Sequence, residues 1–243
     1  MDTSIIMFQC GTMTENTELS VTEYFKMNKQ PVYPQIEEGV AYYSEIQKII
    51  NMAKTWLMFR APFFQYMASQ KQIIVTQSAK ITNVVTDFRY IYYPYDSMKQ
   101  SIDQYIGKSP DSRNAVVHEL AKEIVHQILH MALYHHERFK AGGSFNQRLY
   151  KIAADITVFF QMEDMMEKFK QNSYGADWVL PDMKQYERFK GKNTNQIYKI
   201  LYDELPKDQD QGQSPADKKM DEIEADLAIT CGLEQFSDIV GDM

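Results

Sequence analysis

Residues 125 to 139, VHQILHMALYHHERF, hold four of the five histidines in this 243-residue chain. His126 and His130 stand four apart in a stretch that reads as a helix, so about 40° separates them on one face and both rings can grip a single ion. Neutral imidazole nitrogen is a good zinc donor, and a catalytic zinc site needs a third protein ligand with one position left for water. Peptidases built on an HxxxH pair carry a glutamate directly after the first histidine, and this sequence has Gln127 there. Glutamine can hydrogen-bond a water, but its amide cannot accept a proton at neutral pH, and loss of a general base slows such reactions about 10²–10⁴-fold.

Three residues compete for the third ligand position. His136 follows His126 by ten residues, the spacing of the metzincin proteases, but Leu133 replaces the glycine at which their chain turns. His135 points about 180° away from His126 if the helix continues. Asp155 lies inside the apolar run KIAADITVFF of the next predicted helix. A buried, ionised carboxylate needs a partner or a metal, so Asp155 is the favoured third ligand and His136 the fallback. Glu119 and Glu123 share the histidine face, and Glu123 with His126 makes half of a di-iron motif. With no second ExxH in the chain, these glutamates read as a solvated acidic face with some supporting contact to the histidines.

The elements that must position these groups follow from periodicity and breakers. Apolar residues recur at three and four from Ile36 to Leu57, predicting an amphipathic helix, with a further short helical piece at Phe63 to Ala68. Residues 73 to 94, IIVTQSAKITNVVTDFRYIYYP, are β-branched and aromatic, which predicts two or three short strands, the last stopped by Pro94. A helix is expected from near Ser97 to Ile106. Ser109 and Pro110 then open a long helix that carries the histidines to about Lys140. Gly142, Gly143 and Ser144 turn the chain into a helix from Phe145 to Phe169, laid antiparallel against the first. Asn193 with Gln196 forms a predicted capping box for a last core helix with the stripe Ile197, Ile200, Leu201 and Leu205.

The expected organisation is an N-terminal arm over 1–35, one domain over 36–205, and a polar linker with an acidic C-terminal helix and tail over 206–243. Length and a 44% hydrophobic content suffice for one sizeable core. The formal charge of -7 offers no overall basic field for nucleic acid or anionic lipid. Cys10 and Cys231, the only cysteines, make neither a disulfide framework nor a thiolate site. The first residues lack the pattern of a secretory signal and no stretch suits a membrane span, so a cytoplasmic protein is expected.

Several motifs in order raise the specificity well beyond HxxxH. They are TDFRYIYYP at 86–94, HQILH at 126–130, His135 with Arg138, YKIAAD at 150–155, Leu180 with Pro181, and IYKIL at 197–201. Together they resemble the metallopeptidase domain of bacteria and phages that is found before von Willebrand factor A-like domains. The resemblance covers about residues 40 to 205. It implies an α+β fold: a mostly helical zincin-like domain with a small β-sheet packed on the HxxxH helix. It further implies zinc on His126, His130 and Asp155, the catalytic glutamate position at Gln127, a protein or peptide as substrate, and association with an AAA ATPase. Lys151 and Phe159 stand where that family has asparagines. Two functions follow: a zinc-dependent peptidase inactivated at Gln127, by engineering or by nature, or a binding module that uses the same cleft to hold a protein without cutting it.

Overall fold

The computed structural model describes residues 33–87, 89–105, 110–141, 145–171, 178, 180–206 and 215–227. Most of the predicted arm, Ser109, the turn at 142–144, much of the linker and tail, and both cysteines lie outside them. In chain order the elements are α1 (Tyr43–Arg60), α2 (Pro62–Ser69), β1 (Gln72–Thr76), β2 (Val85–Thr86), β3 (Tyr90–Pro94), α3 (Tyr95–Tyr105), α4 (Pro110–Ala132), α5 (His135–Ala141), α6 (Gln147–Gln171), a 3₁₀ helix (Met183–Phe189), α7 (Thr194–Glu204) and α8 (Pro215–Asp226). The fold is α+β and mostly helical, as expected.

The sheet has the order β1-β3-β2. β1 runs parallel to β3, with Ile74 opposite Tyr92, and β2 pairs antiparallel with β3, with Thr86 opposite Ile91. Because side chains alternate along a strand, the sheet feeds two apolar clusters. Ile73, Val75, Ile91 and Tyr93 join the main core, while Ile74, Val85 and Tyr92 meet Ile81 and Tyr33 on the other face. Asp87 closes the β2–β3 turn: its Oδ1 accepts from the Arg89 and Tyr90 amides, and its Oδ2 accepts from the Tyr92 hydroxyl.

α1 begins at Tyr43, seven residues after the predicted start. Ile36 serves the sheet instead: its amide donates to the Val75 carbonyl at 2.8 Å, and the Gln35 side chain accepts from the Val75 amide. Tyr42 then turns the chain with a left-handed φ of 62°. From there Ile46, Ile49, Ile50, Ala53 and Leu57 form the buried stripe that faces α4.

The second departure is the end of the histidine helix. α4 stops at Ala132 and the chain bends through Leu133 and Tyr134 before α5 starts. The bend uses no glycine. Tyr134 takes φ 54° with its side chain exposed, and its amide folds back to the Met131 carbonyl at 3.1 Å.

α6 is buried without interruption from Leu149 to Phe160, which explains why no amphipathic period is visible there: a helix apolar on every side is a core helix. α7 packs along it, started by the capping box the sequence predicted, with Asn193 accepting from the Gln196 amide and Gln196 accepting from the Asn193 amide. The 3₁₀ helix is an addition to the predicted elements. It buries Met183, Tyr186 and Phe189, spaced by three as its own period requires. α8 lies against α6 through Met220, which is buried, and through Arg148, which binds Glu224 with two nitrogens and also pairs with Asp221.

Candidate metal centre

α4 and α6 pack against each other, and each contributes buried polar residues to the contact. His126 and His130 project from α4 one turn apart, and Asp155 projects from α6, flanked by Ala153 and Ala154, whose small side chains are fully buried. The Asp155 Oδ1 atom lies 3.1 Å from His126 Nε2 and 3.1 Å from His130 Nε2, and the two Nε2 atoms are 2.8 Å apart. All three side chains are buried, at 3%, 5% and 0% exposure for His126, His130 and Asp155. They form the one group of three or more potential metal ligands among the described residues.

Three donor atoms converging so closely cannot all be served by hydrogens on two neutral rings. Asp155 Oδ2 is buried and has no hydrogen-bond partner among the described residues. A buried carboxylate oxygen left without a donor is unfavourable by about 1–3 kcal/mol or more. A cation shared by the three donors relieves their crowding and balances the charge of the buried carboxylate. The observed edges of 2.8 and 3.1 Å are slightly tighter than the ~3.3 Å edges of a tetrahedron with ~2.0 Å metal–nitrogen bonds. The residues present therefore fit a metal ion after a small outward adjustment.

Protonation supports the same donor set. Burial pushes the Asp155 carboxyl upward, but hydrogen bonding with His126 and the proximity of both histidine rings outweigh it and hold the carboxyl below the usual range. Burial lowers the His126 imidazole against the pull of Asp155. His126 thus presents neutral imidazole and Asp155 an ionised carboxylate, the forms in which these groups bind metals.

The bend after α4 removes the condition under which His135 would point away from His126, while His135 still stays outside the group of candidate ligands. Since the helix does not continue, His135 is not directed away from the site. It is buried at 1% exposure, its Nδ1 lies 2.8 Å from His130 Nδ1, and burial together with the neighbouring His130 lowers its pKa well below the ordinary value. His136 is half-buried on α5 and is not a member of the convergent group. His118 lies elsewhere on α4, against the Trp56 ring.

Gln127 is 3% exposed, and its Nε2 donates to the Val84 carbonyl at 3.1 Å, directly before β2. Thr86 of β2 also reaches α4, through a 3.6 Å contact with the Met131 sulfur. The small sheet is therefore fastened to the histidine helix at its β2 edge. Phe159, one turn after Asp155, sets its ring edge-on to His126 with centroids 5.2 Å apart and shields that side of the site.

Glu119 is exposed and pairs with Lys122, but Glu123 departs from the predicted solvated face. Its side chain is only 13% exposed, and its carboxyl is pushed up to about 7 by burial and by the nearby charges of Glu119 and Asp155, against the opposing effect of Lys122.

A family model described as "Putative metallopeptidase domain" matches residues 49–237. The chain belongs to that family. No curated protein and no solved structure matches it. The matched range runs past α7 and includes α8, the segment that Arg148 holds. Among the described residues, no helix is long and apolar enough to cross a membrane.

Proposed function

We propose that this protein holds a zinc ion on His126, His130 and Asp155 and uses that centre to engage a peptide segment, as a metallopeptidase whose hydrolysis is slow because Gln127 stands in the general-base position. The observation that carries the proposal is the convergence of three buried donors from α4 and α6 in a chain of a metallopeptidase family. Neutral imidazole and carboxylate in a set of three suit zinc in a catalytic rather than a structural site. When bound, the ion supplies Lewis acidity that polarises a peptide carbonyl and activates water.

The chain's own residues do the rest. Asp155 balances charge in a buried site, Phe159 limits water access beside His126, and Gln127 can orient a water but cannot take its proton. Restoring the base, Gln127→Glu, in zinc-loaded protein is the direct test, read by cleavage of a peptide library with and without chelator. Chelator-sensitive cleavage that rises by about 10²-fold or more in the variant supports the peptidase reading.

The Gln127 contact favours a second reading. One of its amide hydrogens is committed to the Val84 carbonyl, a bond an ionised carboxylate cannot make, so glutamine is suited to this position as a structural residue. On this reading the cleft binds a protein segment without cutting it. Absence of cleavage by zinc-loaded Gln127→Glu, with a partner captured equally by both forms, would select it over the peptidase.

A further inference from the structure

We infer that His135 and Thr194 are positioning residues for the metal centre: a one-way chain of hydrogen bonds from His130 through His135, Thr194 and Thr157 to the Ala153 carbonyl fixes His130 with its Nε2 lone pair facing Asp155. The inference rests on the metal reading above for its purpose, but its geometry does not depend on a metal being bound.

The direction of the chain is set from its far end. The Ala153 carbonyl can only accept, so Thr157, 2.8 Å away, must donate its hydroxyl hydrogen there. Thr157 has no other hydrogen on that oxygen, and it lies 3.1 Å from the Thr194 hydroxyl, so Thr194 is the donor between them. The Thr194 oxygen must then accept from His135 Nε2, at 2.9 Å. A neutral His135 with its hydrogen on Nε2 has a bare Nδ1, which accepts from His130 Nδ1–H at 2.8 Å. His130 is left with an unprotonated Nε2, the atom 3.1 Å from Asp155 Oδ1.

The alternatives fail locally. A hydrogen on His135 Nδ1 instead would make Thr194 donate to His135, leaving the Thr157 and Thr194 oxygens 3.1 Å apart with no hydrogen between them. A doubly protonated His135 would place a cation at 1% exposure, hydrogen-bonded only to a neutral ring and a hydroxyl. Thr194 and Thr157 are themselves buried, so no water is needed to complete the series.

Four elements meet in this chain. α4 supplies His130, the bend at Tyr134 swings His135 of α5 beneath it, the Asn193 capping box places Thr194 at the first turn of α7, and α6 supplies both Thr157 and the carbonyl two residues before Asp155. Metal-binding histidines commonly donate their second nitrogen to a group that fixes the ring, and loss of such a group weakens metal binding about 10–100-fold. Here that group is a second imidazole whose own tautomer is set by threonine.

The test uses the full chain with labelled histidine nitrogens. Long-range proton–nitrogen spectra of metal-free protein at neutral pH should show His130 protonated on Nδ1 and His135 on Nε2. Zinc affinity, measured by chelator competition, should fall about 10-fold or more in Thr194→Val and His135→Ala and recover largely in His135→Asn, whose side-chain oxygen can accept from His130. Circular dichroism separates these effects from misfolding. A His130 protonated mainly on Nε2 in the metal-free protein, or wild-type zinc affinity in both Thr194→Val and His135→Ala, would overturn the inference. If the chain takes up no zinc at all, the metal reading fails on its own, and the tautomers still decide the chain.

Discussion

Gln127 Nε2 donates to the Val84 carbonyl across 3.1 Å, which ties the residue beside the first metal-ligand candidate to the start of β2. A side chain that would ordinarily be judged by the proton it cannot accept is here also a strut between helix and sheet. Replacing it by glutamate sets a carboxylate against a carbonyl in a buried contact. Gln127→Glu is expected to lose about 1–3 kcal/mol of stability at neutral pH, with Gln127→Ala losing a similar amount through the orphaned carbonyl. Urea unfolding of metal-free protein checks this; unchanged midpoints in both variants would remove the strut.

Glu123 gives a pH dependence with a definite sign. Its carboxyl is pushed up to about 7 from 4.5, facing Glu119 and Lys122 on its own helix, Tyr93 from β3 and Asp155 from α6. In the unfolded chain the proton leaves first, so stability present below about pH 4.5 is lost as pH rises through about 7. Allowing for its residual exposure, the effect is on the order of 2–3 kcal/mol. Glu123→Gln should flatten the profile of urea midpoints between pH 4.5 and 7.5 in the metal-free protein, and an equally steep profile in the variant would assign the dependence elsewhere.

The α7 capping box has both reciprocal bonds in place, at 3.0 and 3.1 Å. Asn193→Ala should lower stability by about 1 kcal/mol. A thermal-melt comparison with Asn193→Asp, which keeps the cap oxygen, isolates the capping effect: the aspartate variant should melt close to the parent protein and the alanine variant below it.

Much of this arrangement was legible in the sequence where a local rule governs the residue. The spacing of His126 and His130, the asparagine–glutamine box at 193 and 196, and the β-branched run that becomes β1 and β3 all depend on near neighbours. Asp155 was legible for a different reason, as a charge inside an apolar run that needs a partner. What escaped depends on tertiary context. Ile36 fits a helical period but is taken by the edge of β1. The bend at Leu133 and Tyr134 has no glycine or proline to announce it, so His135 could not be placed beside His130. The 3₁₀ helix did leave a signal, since Asp182 precedes Met183, Tyr186 and Phe189 at a strict spacing of three.

The central claim is that His126, His130 and Asp155 hold one metal ion. Elemental analysis of the purified full chain after zinc loading and desalting tests it most directly. The proposed centre predicts one equivalent of zinc, removable by chelator with a fall in melting temperature, and less than about a tenth of that in His126→Ala and in Asp155→Asn. Zinc well below one equivalent in the parent protein, or an unchanged equivalent in both variants, would contradict it.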